Sequence, residues 1–358
     1  MARHAIRMAD LAGRHADVAG ATETAVLDVL RSGRFMGGPV VTRAEESLAR
    51  CFGWPFGVGV ASGTDALAMA LQAVGVRPGD EVIVPAVSFF ATAGAVRLVG
   101  AEPRIADVRP DVPLLDSDTL PVGPRTRAVV AVHLFGAACV LPDPPVPVVD
   151  DLAQAAGAPP RHHGIVGAAS FYPTKTLGAA GDGGMVFATD AALAARVRAL
   201  GNHGMPAPHV HEDIDGLTGR NSRLDALQAA VLLAHLPHLD RRVARRRALA
   251  ARYDAQLPPD VRPLPRDEGH PVHHYVVRSA RRDAIRAHLA ERGIETAVYY
   301  PRSLAAQPAL AAWSRPTPNA DAFCAEALAL PVHEGLDEAD VDRVCDAIRD
   351  ACRALGAA

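Results

Sequence analysis

The sequence predicts an α/β protein with a mostly parallel, helix-flanked sheet and a second, smaller α/β domain. Three observations carry that expectation. Short apolar runs recur at residues 57–61, 81–84, 128–132, 146–149 and 167–171, continuous rather than alternating, as strands buried on both faces require. Helical or turn segments separate them. The length of 358 residues exceeds the roughly 250 to 300 residues at which a single core stops growing. We therefore expect an N-terminal arm and large domain over residues 1–240 and a small domain over 241–358.

In chain order, a helical pattern from about residue 17 to Leu30 (Val18, Thr22, Val26, Val29, Leu30) leads into the glycine-rich turn from Ser32 to Gly38. The run Gly57-Val58-Gly59-Val60-Ala61 is followed by the polar turn Ser62-Gly63-Thr64-Asp65 and a helix over Ala66 to Val74, giving strand, turn, helix. The proline-rich stretch from Pro142 to Pro147 reads as a loop. Leu224 to Leu239 reads as one long apolar helix. From about Arg241 the chain becomes arginine-rich helix, and Arg241, Arg242, Arg245, Arg246 and Arg247 read as a solvated face. His274 to Arg278 supplies a strand, with helices expected at about 281–292 and 338–354. Ligands of parallel sheets gather at the carboxyl ends of the strands, which here read Ser62-Gly63-Thr64, Ser88-Phe89, His133, Asp150-Asp151 and Ser170.

Composition narrows the function classes. Charged residues at 22%, apolar residues at 49% and a net charge of −3 with pI near 6.6 describe a globular chain, with no electrostatic reason to bind nucleic acid or an anionic membrane. No run reaches the roughly eighteen apolar residues that span a bilayer, and Arg3, His4, Arg7, Asp10 and Arg14 leave no apolar signal core. The expected location is the cytoplasm. Five cysteines (Cys51, Cys139, Cys324, Cys345, Cys352) form neither a CxxC pair nor an even set, as a reducing compartment allows. The histidine clusters His162-His163, His209/His211 and His273-His274 lack companion ligands at familiar spacing, so no metal site is expected.

One basic residue stands apart. Of 37 basic side chains, 36 are arginine and Lys175 alone is lysine. Arginine can serve wherever a surface charge suffices, but a guanidinium never loses its proton in a protein. Lys175 is thus the candidate for chemistry that needs a primary amine. It follows Ser170-Phe171-Tyr172-Pro173-Thr174 and precedes the small residues Gly178 to Gly184, a setting that suits a Schiff base with a flat ligand. Asp151 ends a buried strand, where a lone carboxylate is costly unless a cation meets it. That cation is either a protonated heterocycle or an arginine such as Arg161. The turn Ser62-Gly63-Thr64-Asp65 opens a helix and reads either as an anion site or as a plain N-cap.

Further motifs accompany these: Pro78-Gly79-Asp80-Glu81-Val82-Ile83-Val84-Pro85, His133-Leu134-Phe135-Gly136, Asp151-Leu152-Ala153-Gln154, Gly181-Asp182-Gly183-Gly184, Asn221-Ser222-Arg223-Leu224-Asp225 with Gln228, and Tyr300-Pro301 with Gln307-Pro308. In this order and spacing, over nearly the whole chain, the sequence resembles the sugar aminotransferases of the DegT/DnrJ/StrS family, a branch of the fold type I pyridoxal phosphate (PLP) enzymes.

The resemblance implies a seven-stranded, mostly parallel sheet in the large domain, and the cofactor pyridoxal 5'-phosphate. It implies that Lys175 carries the cofactor as an internal aldimine and later serves as the base. Asp151 would face the pyridine nitrogen, Phe89 the ring and Gln154 the 3-hydroxyl. Gly63, Thr64 and Ser170 would hold the phosphate, and Asn221 would reach the cofactor of a second subunit, making a homodimer part of the site. The implied reaction moves an amino group from an amino acid, L-glutamate by expectation, through pyridoxamine phosphate to a keto sugar, expected to be nucleotide-diphosphate-linked, for a specialised metabolite or a surface glycan. Arg34 and Tyr300 are candidate substrate contacts. Other activities compatible with the family are amination of a nucleotide-free keto-cyclitol and a ring-forming amino-aromatic synthesis. A catalytically silent, PLP-binding regulator is the reading from another class.

Departures from the family pattern are a short crossover from Ala137 to Pro145, expected not to form a full helix, and a trimmed segment before Pro124. Ala156 stands where many members have histidine, and Ser303-Leu304-Ala305 replaces Pro-Leu-His. The last two are expected near the substrate.

Overall fold

The computed structural model describes residues 4–160, 164–205, 207, 209–214 and 216–356. Arg161, His162 and His163 therefore lie outside the described residues. Three helices lead in: α1 (Leu11–Ala16), α2 (Ala19–Ser32) and α3 (Gly38–Phe52). Gly33, at φ 64°, ends α2 in the left-handed region that glycine tolerates.

Seven strands follow: β1 (Phe56–Val60), β2 (Glu81–Pro85), β3 (Glu102–Ala106), β4 (Thr126–Val132), β5 (Val148–Asp151), β6 (Val166–Ser170) and β7 (Gly184–Ala188). They form one sheet in the order β1-β7-β6-β5-β4-β2-β3. β7 is antiparallel to both its neighbours, and every other pairing is parallel. β1 therefore runs in the same direction as the parallel set, and its carboxyl end reaches the same edge as those of β5 and β6. Helices α4 (Gly63–Ala73), α5 (Ala91–Leu98), α6 (Ala191–Leu200) and α7 (Ala226–His235) cover the sheet. The double covering explains the continuous apolar runs: all five residues of β2 and of β7 are buried. From Ala66 to Ala73 α4 is Ala, Leu and Met apart from Gln72, and that whole stretch is buried. The crossover from β4 to β5 has only a single 3₁₀ turn at Leu134–Gly136 and no α-helix, as its length led us to expect.

The long apolar helix expected over residues 224–239 is instead broken. Asp225 accepts the Gln228 N–H at 2.8 Å and caps α7, so the helix starts at Ala226. Pro237 lacks an N–H to continue it, and residues 236–238 form a 3₁₀ turn before α8 (Leu239–Asp254). The solvated arginine face is also corrected. Arg241 and Arg247 are exposed, but Arg242 and Arg246 are 2% and 3% exposed, because α8 has protein on more than one side.

After α8 the chain forms a three-stranded antiparallel sheet in the order β10-β9-β8, from β8 (Arg262–Pro263), β9 (Tyr275–Arg278) and β10 (Ala327–Leu330), where the sequence reading gave one strand. Helices α9 (Arg282–Glu291), α10 (Pro318–Glu326) and α11 (Glu338–Gly356) accompany it. Tyr253, Tyr275, Leu289, Leu330 and Val344 build its core. The N-terminal arm joins this unit: Ile6 forms a parallel bridge with Ile294 and is itself buried. Among the described residues, no helix is long and apolar enough to cross a membrane, and all five cysteines are free thiols.

His270 illustrates how this packing responds to pH. It is buried, its Nδ1 accepts the Val272 N–H at 3.0 Å, and burial, with Arg266 and Arg247 near, pushes its pKa down to about 3 from 6.5. Between those values the unfolded chain binds the proton and the folded chain does not, so stability falls as pH drops through the window, by about 1.4 kcal/mol per unit from this site. Above 6.5 the site contributes no slope. Denaturant midpoints measured from pH 7.5 to 5 should decrease below pH 6.5, and His270→Asn, whose Oδ1 keeps the Val272 hydrogen bond, should flatten that decrease by about one proton's share.

Candidate active site

A cavity of about 700 Å³ opens where the carboxyl ends of β1, β5 and β6 meet the small unit. It gathers Gly63, Thr64, Phe89, Asp151, Gln154, Ser170, Lys175 and Tyr300, which the sequence had singled out, onto one wall or another.

Asp151 is 6% exposed at the end of β5. Alternation along the strand points Asp150 the other way, where its carboxylate accepts from His133 Nε2 at 3.0 Å and from the Gly164 N–H at 2.8 Å. Asp151 accepts the Ala153 N–H at 3.1 Å and the Thr92 hydroxyl at 3.2 Å, and Thr92 in turn is bonded by Ser88 at 2.7 Å. Among the described residues, no arginine meets it. Burial pushes its carboxyl up against the opposing pulls of the Ala153 N–H, the Lys175 charge and the Thr92 hydroxyl. Lys175 sits in the tight turn after β6, with its N–H on the Tyr172 carbonyl at 2.8 Å. Burial pushes its ammonium down, toward the neutral amine, and Asp151 pulls it back.

Opposite lies an anion cradle. Ser62 caps α4 by accepting the Asp65 N–H at 3.1 Å, so the N-cap reading is correct. It leaves the first N–H groups of α4 directed into the cavity beside Ser170. Gly63 is required here, since a Cβ on it would stand 2.5 Å from Ser170 Cβ. Asp65 is anchored from behind by the Ser222 hydroxyl at 2.8 Å and by Arg220 at 3.4 Å.

Gln154 bridges two walls. Its Oε1 accepts the Phe135 N–H at 2.6 Å, and its Nε2 donates to the Tyr300 hydroxyl at 3.1 Å. Phe135 adopts φ 60°, an uncommon conformation for a residue with a side chain. It is held there by that bond, by its carbonyl accepting the His273 N–H at 3.1 Å, and by ring packing against Tyr300. Phe89 stands 66% exposed at the mouth.

The structure adds wall residues that the sequence reading missed. Arg14 and Arg246 line the cavity from α1 and α8. His273, His274 and Tyr299 line it from the small unit, with His274 stacked on Tyr299 at 4.0 Å and His273 Nδ1 hydrogen-bonded to Thr176 Oγ1 at 3.1 Å. Burial, then the charges of Lys175 and Arg246, holds both histidines well below the usual imidazole range. The histidine pair was visible in the sequence, but only the fold turns it toward Lys175.

Other candidates lie elsewhere. Asn221 is exposed and holds Arg223 at 2.9 Å, outside this cavity. Arg34 is exposed on the α2–α3 turn and does not reach the cavity. Ala156 and Ser303-Leu304-Ala305, expected near the substrate, are buried away from the cavity wall, with the Ser303 hydroxyl bonded to Asp321 at 2.8 Å.

These residues fit a phosphorylated pyridine aldehyde. Among the described residues the buried carboxylate has no arginine partner, the glycine cradle admits an anion that a Cβ would exclude, and one amine faces both. The profile of the DegT/DnrJ/EryC1/StrS aminotransferase family matches residues 16–349. The chain is 40% identical to the dTDP-3-amino-3,4,6-trideoxy-alpha-D-glucose transaminase of Streptomyces venezuelae, over 95% of this chain and 94% of that one. It is 35% identical to the UDP-2-acetamido-2-deoxy-3-oxo-D-glucuronate aminotransferase of Pseudomonas aeruginosa, over 96% and 99%. The crystal structure of S. venezuelae DesV in complex with a ketimine intermediate superposes with a TM-score of 0.91 at 38% identity, covering 97% of this chain and 98% of that one. Fold and relatives together define a PLP-dependent transaminase of fold type I. Within that class, the chain belongs to the DegT/DnrJ/EryC1/StrS aminotransferase family.

The cradle yields a direct expectation. Gly63→Ala should force the start of α4 away from Ser170 and weaken PLP binding by about tenfold or more, at least ~1.4 kcal/mol. Absorbance titration of the cofactor-free protein with PLP measures this, and an unchanged affinity would show that the cradle is not where the phosphate sits.

Proposed function

We propose that this enzyme transfers an amino group from an amino acid, L-glutamate, to the keto carbon of a nucleotide-diphosphate-linked sugar, working as a cytoplasmic homodimer in the making of a specialised metabolite or surface glycan. One observation carries the reading. The cavity holds a single primary amine, Lys175, facing a single buried carboxylate, Asp151, and the hollow continues past both to Met8, His274 and Tyr299, leaving room for a second, larger reactant. The names of the relatives, one dTDP-linked and one UDP-linked, support a sugar carried on a nucleotide.

In this reading Lys175 Nζ holds PLP, Asp151 accepts the hydrogen bond of the protonated ring nitrogen, Gln154 faces the 3-hydroxyl and Phe89 covers the ring. Gly63, Thr64 and Ser170 take the phosphate. When bound, PLP supplies the electron sink that makes a proton on the adjacent substrate carbon removable. Lys175 Nζ removes that proton from the donor's α-carbon in the first half-reaction, and in the second it returns one to the former keto carbon of the sugar. Burial favours the neutral amine that the first step needs. Tyr300, bonded to Gln154, stands where the sugar would enter. Asn221, exposed and turned from its own cavity, is suited to a partner's site. The free thiols agree with a reducing compartment.

Borohydride reduction of the holoenzyme and peptide mapping should place the pyridoxyl group on Lys175. Lys175→Arg, which keeps the charge and loses the removable proton, should abolish turnover. Reverse transamination of amino sugars, each with and without its nucleotide, should proceed on the nucleotide-linked member of each pair; activity confined to nucleotide-free rings would refute that part of the proposal.

A further inference from the structure

The wall behind Lys175 contains a buried cluster of charges that the reaction itself does not use. Arg14, 6% exposed, donates from Nη1 to the carbonyl oxygens of Lys175 at 2.7 Å and Pro173 at 3.3 Å, and from Nε to Glu334 Oε1 at 2.5 Å. The other oxygen of Glu334 accepts from Arg246 Nη2 at 3.1 Å. Arg246 Nη1 points to the carbonyls of Val332, His273 and Val272, at 2.9, 3.2 and 3.3 Å. The N-terminal arm, the lysine loop, α8 and the small unit thus meet on one carboxylate. Arg246 and Arg14 hold that carboxyl at about 2, against burial, so it stays charged.

The lysine loop is held by its own turn bonds, the Lys175 N–H on the Tyr172 carbonyl and the Ala179 N–H on the Phe171 carbonyl, both at 2.8 Å, and by few polar groups from outside. Gln228 grips it at the Ala180 N–H and His273 at the Thr176 hydroxyl, but Arg14 grips the peptide of Lys175. A planar guanidinium can serve a carboxylate and two carbonyls at once, which an ammonium cannot do in the same plane.

We propose that Arg14, clamped by Glu334, is a positioning residue for Lys175: it fixes the backbone of the lysine loop against the N-terminal arm and so keeps the amine dehydrated and aimed into the cavity. The proposal rests on the reading of Lys175 as the working amine. With Arg14 removed, the loop loosens, water reaches the amine, and the burial that lowers its basicity is relaxed. The groups that face the amine remain in place: Asp151 from β5, His273 and His274 before β9, Tyr299 and Tyr300, and Arg246. Arg14 is itself a cation of this wall, so Arg14→Gln also withdraws a positive charge that disfavours the ammonium, and Arg14→Lys, which keeps that charge without the fork, separates the loop from the charge.

Because Lys175 is the only lysine, trace labelling with acetic anhydride as a function of pH, followed by peptide mapping, reads its ionisation alone. Measured on the full-length protein freed of cofactor, Arg14→Gln should raise the labelling midpoint toward the ordinary lysine value of 10.5, by about one pH unit, a tenfold change in protonation equilibrium. Arg282→Gln is the control: Arg282 is buried and serves the Cys324 and Ala327 carbonyls of the small unit, so it should lose stability and leave the midpoint where it is. Arg14→Lys, which keeps the cation without the fork, should also shift the midpoint upward, its added lysine mapping to a separate peptide. An unmoved midpoint in Arg14→Lys, or an equal shift in Arg282→Gln, overturns the proposal. Either result would leave the borohydride mapping of the holoenzyme unaffected, so the positioning role and the transaminase reading fail separately.

Discussion

The site is organised around a carboxylate placed where it is costly. Asp151 ends a parallel strand inside the protein, with two hydrogen bonds and no arginine of its own among the described residues. A buried carboxylate in that state is stable only opposite a cation, and the cavity offers Lys175 in that place. Each group's charge favours the other's while burial works against both, and the proposed reading adds the cofactor as a third partner. A protonated pyridine is such a partner for Asp151.

Sheet topology makes this arrangement possible. With β7 reversed between β1 and β6, the turn after β1 and the turn after β6 both come to the edge where β5 ends, with Val60 and Ser170 each opposite Gly184. The anion cradle, the lysine loop and the carboxylate therefore come from three segments far apart in sequence and adjacent in the sheet. Gln154, Phe135 and Tyr300 then tie the floor to the small unit, with the strained backbone of Phe135 held by bonds on both sides.

Much of this was legible in the chain itself, for identifiable reasons. The buried strands announce themselves as continuous apolar runs, and a single lysine among arginines marks the position that the proposed chemistry needs. β3 and β7 escaped notice because Glu102-Pro103-Arg104 breaks the apolar signal of the first and the second emerges directly from a glycine run. The wall residues Arg14 and Arg246 were unreadable for another reason. An arginine buried against carbonyls looks, in sequence, like any arginine on a helix face, and its partner Glu334 lies 320 residues from Arg14. The break at Pro237 was readable, and the apolar count around it outweighed the proline in our reading.

That separation bears on how the protein comes into being. Ile6 and Arg14 are made before all seven strands of the large sheet, and the groups that hold them, Ile294 and Glu334, only after them. The arm must wait, unanchored, while the sheet assembles behind it. The lysine loop gains its outer support only once Glu334 has been made. Synthesis of the segment that carries Glu334 thus acts as the step that completes the wall behind Lys175, and a chain that stops short of it carries Lys175 without that support.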